Sequence, residues 1–355
     1  MKRVAILGAG IGAEHLDAYL QLTDLFEVAY VCDLDLERAQ SLARSSGAKA
    51  IDDMAVAFAD PCIDLIDVSL PPKLHVPVSL QALEAGKDVI VEKPIAGCIA
   101  EADRLKQAAE GAGCQLFPVF QYRFGQALSS VFALKEAGFL QKPQVASLET
   151  HWSRDAAYYA NPWRGTWDYE LGGAVLSHAI HAHDLLCLLF GPVGSVSAAL
   201  ATRVNPIETE DCAAISFVMQ NGALATSSIT LGAADDTSRL RFVFDDVTIQ
   251  SGLKPYAPAS EPWQFQARDP SQQARLEEVI ASAKPVQPGF TGFLASVSDA
   301  LKGLPGRHPS LADGMASIEL ASAIYLSHRS GTRQTLPLDR GLKICQGLRP
   351  QQAEL

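Results

Sequence analysis

A glycine-rich turn near the start of the chain has the spacing of a dinucleotide-binding site. Gly8, Gly10, Ile11 and Gly12 follow a short apolar run, and Ala13 occupies the third glycine position of the pattern. Gly8 permits a tight turn, Gly10 lets a pyrophosphate approach the backbone, and the small Ala13 allows the following helix to pack closely on the strand. The spacing predicts a phosphate-binding turn between a strand and a helix.

Asp33 stands at the end of the second apolar run, 20 positions after Ala13. Its carboxylate is placed to accept hydrogen bonds from the ribose hydroxyls of an adenosine and would repel a 2′-phosphate. The pattern therefore favours NAD over NADP.

A short stretch further along combines aromatic and basic side chains. The candidates for substrate binding there are Trp152, Arg154, Tyr159, Trp163 and Arg164. Aromatic faces suit the C–H faces of a sugar ring, and the guanidinium fork suits a carboxylate or phosphate. The alternative is that the tryptophans cover the core and the arginines form surface ion pairs. Arg123, at the junction between the two halves of the chain, is a further candidate.

Three histidines lie close together in the sequence, at His178, His181 and His183. His178 and His181 would share a helical face, but no third ligand has a matching spacing. We therefore expect no metal site.

The elements that must position these residues differ between the two parts of the chain. The first third alternates strands that are apolar on both faces with helices, which is typical of a parallel sheet with helical crossovers. The strands are expected at 4–7, 28–32, 65–69, 89–91 and 116–119, and the helices at 13–22, 36–45, 77–85 and 100–112.

Beyond about residue 120 a helix at 127–137 is followed by strands of alternating polarity. Alternation predicts a mostly antiparallel sheet with one face covered and the other available as a subunit interface. The strands are expected at 145–152, 196–202, 213–219, 224–230, 240–244 and 247–249, with late helices at 292–302 and 311–327. We expect an α/β chain with a Rossmann domain at 1–120 and a substrate-binding and oligomerisation domain at 121–355.

Composition limits the partners. The formal charge is −11 with no basic run, so the chain should repel nucleic acid and anionic membranes and take a small molecule as its partner. Seven scattered cysteines indicate a reducing, cytoplasmic compartment.

Longer motifs bring a family into view. Residues 65–75, LIDVSLPPKLH, and 82–94, ALEAGKDVIVEKP, resemble the glucose-fructose oxidoreductase, inositol dehydrogenase and MocA-like family, and the Glu-Lys-Pro triplet is its most specific mark. Gly172-Gly173, the later His181-x-x-Asp184 and the segment 311–314, LADG, extend the resemblance over nearly the whole chain.

That resemblance implies a Rossmann fold, a second domain built on a large open sheet, and a nicotinamide lying between them. It assigns Lys93 to the reacting hydroxyl, because a fixed cation lowers the hydroxyl pKa during oxidation. It assigns His181 to the proton, since the near-neutral pKa of histidine suits a general base. It also implies a cis Lys93-Pro94 bond and cofactor contacts from the segment around these motifs: Leu70, Pro71, His75 and Glu92.

One position departs from the family pattern. Members that oxidise cyclitols usually have an aspartate four residues before the histidine, on the same helical face, whereas this chain has Ser177 there, followed by His178. Some relatives that act on nucleotide-linked sugar acids have an uncharged residue at this place, so the departure is compatible with activity. Because Ser177 is neutral and Arg154 and Arg164 add positive charge, we expect the pocket to favour an anionic substrate.

These observations predict an NAD-dependent enzyme that moves a hydride between nicotinamide and a secondary alcohol of a sugar, cyclitol or sugar acid, as a homodimer or homotetramer formed through the second sheet. Two alternatives stay open. One keeps the NAD but is redox-neutral overall, oxidising transiently so that a glycosidic bond is eliminated. The other is a cofactor-sensing protein without catalysis.

Overall fold

The structure is a computed structural model that describes residues 1–350, and it divides the chain into two compact units. The first contains Met1–Phe120 and Phe290–Ile318, and the second contains Gln121–Gly289 together with the chain from Glu319 onward. The expected second domain, 121–355, is corrected in one respect, because residues 290–318 group with the first unit. Within residues 1–350, no helix is long and apolar enough to cross a membrane.

The first unit is built on a six-stranded sheet in which every pairing is parallel. In spatial order the strands are β3, β2, β1, β4, β5 and β6, and their bounds along the chain are β1 Lys2–Leu7, β2 Phe26–Cys32, β3 Lys49–Ile51, β4 Leu65–Val68, β5 Asp88–Val91 and β6 Leu116–Pro118. Five of the six were expected from their apolar runs. The edge strand β3 was not, because it has three residues and only one of them is fully buried.

Helices connect these strands, with bounds α1 Gly12–Tyr19, α2 Leu36–Ala43, α3 Ala55–Ala59, α4 Pro72–Glu84 and α5 Ile99–Ala112. Helix α4 begins five residues before the expected start at Pro77, because Pro72 occupies the first turn, where no N–H is required. Gly113 ends α5 in the left-handed conformation at φ 66°, as the C-terminal glycine pattern predicts.

The remaining helices are α6 Gln126–Glu136, α7 Ala174–Ser177, α8 Ile180–Phe190, α9 Gln273–Ala281, α10 Gly289–Leu301 and α11 Leu311–Ser330. The late helices α10 and α11 were expected within a few residues of these bounds. Helix α8 includes His181 and His183, and His178 lies in the turn between α7 and α8.

The second unit is built on an eight-stranded sheet, in the spatial order β13, β12, β11, β7, β10, β9, β8 and β14. The strand bounds are β7 Pro143–Ser153, β8 Val193–Ala201, β9 Cys212–Met219, β10 Leu224–Thr230, β11 Gly232–Phe244, β12 Val247–Gln250, β13 Gln264–Ala267 and β14 Gln334–Thr335. Only β7 and β10 pair in parallel, which confirms the mostly antiparallel sheet. The short edge strands β13 and β14 were not expected.

The two faces of this sheet differ in the way the alternation predicts. On β9 and β10, Ile215, Phe217 and Ile229 point into the core, while their neighbours Ser216 and Ser228 are exposed. Helix α8 packs against β7. The outward face therefore carries small side chains on β9 and β10, while β11 adds Arg239 and Arg241 to it.

Candidate active site

The glycine turn between β1 and α1 has the geometry that a dinucleotide requires. Gly8 has φ +105°, and a Cβ there would lie 2.2 Å from the Ser69 carbonyl oxygen, so only glycine fits. At Gly10 a Cβ would meet nothing within 4 Å. The backbone is therefore open at the position where a pyrophosphate would approach, and the turn fits an NAD-type cofactor.

The close packing of helix on strand falls one residue earlier than the sequence pattern places it. A Cβ at Gly12 would lie 2.8 Å from Ile6 Cγ2, whereas Ala13 is only partly buried. Gly12, rather than Ala13, therefore lets α1 approach β1. Ile11 is partly exposed at the tip of the turn.

Asp33 follows β2 and is held by three neighbours. Its carboxylate accepts hydrogen bonds from the backbone N–H of Ala9 at 2.8 Å and of Asp35 at 3.0 Å, and Arg38 Nη2 donates to it at 2.6 and 2.7 Å. Burial alone would raise the pKa of Asp33, but the bonds from Arg38 and the two amides lower it below its usual value. Arg38, which the sequence analysis missed, lies in the first turn of α2, so its place five residues after Asp33 was the available signal.

Lys93 follows β5 at the same edge of the sheet as the glycine turn and Asp33, because all these strands are parallel. The Lys93–Pro94 bond is cis. Leu70 and Pro71 are partly exposed after β4.

Two predicted cofactor contacts, His75 and Glu92, are buried. His75 lies 2.7 Å from both the Pro94 and the Leu70 carbonyl oxygens, and burial lowers its pKa. Glu92 accepts the backbone N–H of Lys93 at 3.0 Å. Both side chains therefore hold the backbone around Lys93, and their contact with a cofactor stays a prediction.

In the second unit, Ser177 and His181 do not share one helix as expected. Helix α7 ends at Ser177 and α8 begins at Ile180. The Ala179 N–H bonds to the Ala174 carbonyl five residues back at 2.9 Å, which opens a wide turn between the helices. That turn breaks the helical face on which the predicted pairing of positions 177 and 181 depended.

His181 is buried near the start of α8. Its ring stacks on Tyr122 with centroids 4.3 Å apart and planes 18° apart. The Tyr122 hydroxyl donates to the Pro255 carbonyl at 2.9 Å, and burial raises the pKa of this phenol. The phenol therefore stays protonated and its ring fixes the plane of the imidazole.

His178 belongs to a directed hydrogen-bond network. Arg164 donates to the Tyr158 hydroxyl, which lies 3.2 Å from His178 Nε2. On the other side of the ring, Nδ1 lies 2.6 Å from Ser177 Oγ, which donates to the Gly173 carbonyl at 2.8 Å. A neutral His178 with its proton on Nδ1 satisfies the donor and acceptor roles of all these hydrogen bonds. This tautomer is assigned from the hydrogen-bond network.

Arg164 is held between aromatic rings. Its guanidinium carbon lies 4.0 Å from the centroid of Tyr158 and 4.3 Å from that of Trp163, within the range of cation–π attraction. Glu170 lies 3.4 Å from Nη1 and also accepts the Gly165 N–H. Tyr159 packs edge-on against Tyr158 at 5.0 Å. Arg164 thus has a carboxylate partner at the long end of the ion-pair range.

Arg154 approaches the same Tyr158 ring, with its guanidinium carbon 5.0 Å from the centroid. It forms an ion pair with Asp236 at 2.9 Å and donates to the Tyr256 hydroxyl at 2.7 Å. The positive charge expected from the two arginines is therefore largely balanced by carboxylates. Asp236 and Tyr256 were not foreseen, since they lie 80 or more residues from Arg154 and no local pattern marks them.

Two further predicted substrate contacts, Trp152 and Arg123, are buried, and their contact with a substrate stays a prediction. The indole N–H of Trp152 donates to Ser238 Oγ at 3.1 Å. Arg123 is buried and its Nε donates to Asp184 at 2.7 Å, with a second bond from Nη2. This bidentate pair ties the start of the second unit to α8.

The comparison with protein families matches both parts of the chain. Residues 2–120 match the NAD-binding Rossmann fold of the GFO/IDH/MocA oxidoreductase family, and residues 130–250 match the C-terminal domain of that family. The chain belongs to the GFO/IDH/MocA oxidoreductase family, and its first unit is the NAD-binding domain of that family.

Individual relatives agree with this assignment. An uncharacterised oxidoreductase of Synechocystis is 31% identical over 246 residues, which are 64% of this chain and 65% of that protein, slightly less than two thirds of its length. An uncharacterised oxidoreductase of Schizosaccharomyces pombe is 26% identical over 93% of this chain and 98% of its own. The crystal structure of the WlbA dehydrogenase from Bordetella pertussis in complex with NADH and UDP-GlcNAcA is similar with a TM-score of 0.83 at 27% identity, over 95% of this chain and 98% of that one.

We expect Asp33→Ser to raise the ratio of NADP to NAD efficiency roughly ten- to hundred-fold, because it removes the repelling carboxylate and releases Arg38 for a 2′-phosphate. The measurement is kcat/KM for both cofactors, with NADH and NADPH binding followed by fluorescence. Asp35→Ser is the matched control, since it removes an exposed carboxylate two residues away and keeps a residue that caps α2. A wild type that prefers NADP would show that the role given to Asp33 is wrong.

Proposed function

We propose that this chain is an NAD-dependent dehydrogenase that oxidises a secondary alcohol of a sugar, a cyclitol or, with preference, a sugar acid. The observation that carries the proposal is the shared edge of the parallel sheet, where the open turn at Gly10, Asp33 and Lys93 follow β1, β2 and β5. Ligands of open α/β sheets bind at the carboxyl ends of the strands.

Gly8, Gly10 and Asp33 would hold the dinucleotide, and bound NAD would supply the hydride acceptor. Lys93 would stabilise oxyanion character on the substrate oxygen as its proton leaves. His181 would take that proton, with its ring plane set by Tyr122. Leu70, Pro71 and Ile11 are proposed as additional cofactor contacts because they are at least partly exposed near the glycine turn.

A sugar acid is favoured by the region around Tyr158. Ser177 is uncharged, and Arg164 keeps further N–H donors beside its long contact with Glu170. The similar WlbA structure contains UDP-GlcNAcA, a nucleotide-linked sugar acid. Trp163 and Tyr159, both partly exposed beside Arg164, would offer their faces to the sugar ring.

The redox-neutral alternative keeps the same residues and differs only in retaining the reduced cofactor. Stoichiometric release of NADH in a screen of sugars, cyclitols and their acids supports the dehydrogenase. Product formation without net NADH supports the alternative, and the absence of any turnover with tight NADH binding supports the cofactor-sensing protein.

We expect the wild type to prefer a sugar acid over the matching neutral sugar, because charge-assisted hydrogen bonds contribute roughly 1.5–3 kcal/mol each. Arg164→Ala should raise KM for the acid far more than for the neutral sugar, and Ser177→Asp should weaken the acid preference. Arg275→Ala, which removes a cation elsewhere in the second unit, is the control. If the wild type prefers the neutral sugar and Arg164→Ala affects both substrates equally, the arginines are structural.

His181→Asn should lower kcat and remove the acidic limb of the pH–rate profile. Oxidation falls at low pH because a protonated base cannot accept the hydroxyl proton, and asparagine has no such titration. The profile of kcat/KM between about pH 5 and 9 tests this. His178→Asn is the matched variant, since His178 is a neighbouring buried histidine. If the acidic limb persists in His181→Asn and is lost in His178→Asn, the general base is His178 and not His181.

We also propose that the chain works in the cytoplasm as a homodimer or homotetramer formed through the outward face of the second sheet. Exposed Ala214, Ser216, Thr226 and Ser228 give the two central strands small side chains on that face, against which a second copy would pack. Light scattering should give two or four chains for the wild type and one for Thr226→Arg. Ser41→Arg on the exposed side of α2 should keep the wild-type mass, and a monomeric wild type would refute the proposal.

A further inference from the structure

A buried histidine between two carboxylates lies in the first unit, behind the edge of the sheet that the proposed function uses. His15 of α1 is completely buried, with Nδ1 at 2.9 and 3.0 Å from the carboxylate oxygens of Asp67 in β4 and Nε2 at 3.2 Å from Glu92 after β5. Asp67 is also completely buried, and Glu92 almost so.

This histidine is charged. Both ring nitrogens face carboxylate oxygens, which only accept, so both nitrogens must donate. Burial alone would lower the pKa of His15, but Asp67 and Glu92 raise it to about 10. The imidazolium therefore persists through the ordinary range of assay pH, and the cluster contains a permanent cation between two acids.

The cluster has two distinct ends. At one end Asp67 accepts from the Tyr19 hydroxyl at 3.0 Å and from Ser69 Oγ at 2.8 Å. At the other end the second oxygen of Glu92 accepts the backbone N–H of Lys93 at 3.0 Å. A continuous line of hydrogen bonds thus joins His15 to the backbone of Lys93.

We propose that His15 is a positioning residue for Lys93, acting through Glu92, and this proposal rests on the catalytic role given to Lys93 above. His15 fixes the Glu92 carboxylate, and Glu92 fixes the N–H of Lys93. His75 holds the adjacent Pro94 carbonyl at 2.7 Å, so the backbone that bears the lysine is clamped from two sides. The side chain of Lys93 therefore extends from a fixed backbone position at the end of β5. Electrostatic stabilisation of a developing oxyanion requires such a fixed position of the cation.

The competing explanation is that the cluster only stabilises the core. Buried ion clusters are often no more stabilising than apolar side chains of the same size, whereas removal of one member leaves a charge without its partner. A loss of activity in a His15 variant is therefore not sufficient evidence, and the test needs a control in the same cluster and a readout at Lys93.

The variants are His15→Asn, which keeps a donor toward Asp67 and loses the bond to Glu92, and Tyr19→Phe, which removes one hydrogen bond at the Asp67 end only. Glu92→Gln is the isosteric alternative if His15→Asn does not fold.

Lys93→Met alone should lower kcat by about 10²–10³-fold. We expect His15→Asn and Glu92→Gln to lower kcat by roughly 10–100-fold with NADH affinity nearly unchanged, and Tyr19→Phe to stay within about threefold of wild type.

A double-mutant cycle separates positioning from stability. If His15 acts through Lys93, His15→Asn added to Lys93→Met should produce no further loss of kcat. If the two losses multiply, or if His15→Asn lowers only the melting temperature, the proposal is overturned.

A second readout needs no substrate. Reductive methylation with ¹³C-formaldehyde labels the lysines, and Lys93→Met identifies the Lys93 resonance. That resonance should shift in His15→Asn or Glu92→Gln and not in Tyr19→Phe, while an unmoved resonance in both variants refutes the positioning role. If it shifts but no sugar or sugar acid is oxidised by the wild type, the proposed function fails and the link between His15 and Lys93 remains.

Discussion

The register of three central strands organises the first unit. Leu7, Val68 and Val91 are partners across β1, β4 and β5, so the next residues of the three strands, Gly8, Ser69 and Glu92, leave the sheet side by side. This adjacency makes glycine necessary at position 8, because the Ser69 carbonyl occupies the space of a side chain. It also places the Glu-Lys-Pro segment beside the dinucleotide turn. A shift of one strand would separate the phosphate-binding backbone from the lysine.

In the second unit, buried polar and aromatic contacts position the candidate residues on and around α8. The wide turn between α7 and α8 directs Ser177 toward His178 and leaves His181 against Tyr122. The bidentate pair of Arg123 and Asp184 anchors α8. An ion pair removed from water requires good geometry on both sides, and this one has it. The family's histidine and aspartate thus have different environments, one aromatic and one ionic.

Charge is balanced locally at three of the described candidate residues for cofactor and substrate binding. Arg154 has Asp236, Arg164 has Glu170, and Asp33 has Arg38. Paired charges keep their geometry and orient hydrogen bonds, but contribute less to the net field than isolated ones. Recognition of an anionic substrate would therefore depend on the remaining N–H donors of Arg164 more than on an excess of positive charge.

The sequence by itself determined the elements whose signals are local. Apolar runs buried on both faces identified five of six strands of the parallel sheet, alternation identified the antiparallel sheet, and Gly8, Gly10 and Asp33 marked the cofactor turn through spacing alone. Lys93 could be named because the Glu-Lys-Pro triplet at residues 92–94 resembles the family's motif. Short edge strands such as β3 and β14 have too few residues to produce a pattern.

Only the tertiary structure decided which polar side chains are buried and which partners they have. Glu92 is the neighbour of Lys93 and His75 comes from the preceding motif, and both are buried because His15 and two backbone carbonyls offer partners there. The partners of Arg154 come from distant strands and loops. Trp152 lies on β7 and is buried, whereas Trp163 lies in the loop after β7 and is partly exposed. Residue type and spacing determine which chemistry a side chain is capable of. Its burial and its hydrogen-bond partners from distant parts of the chain determine its position and its environment.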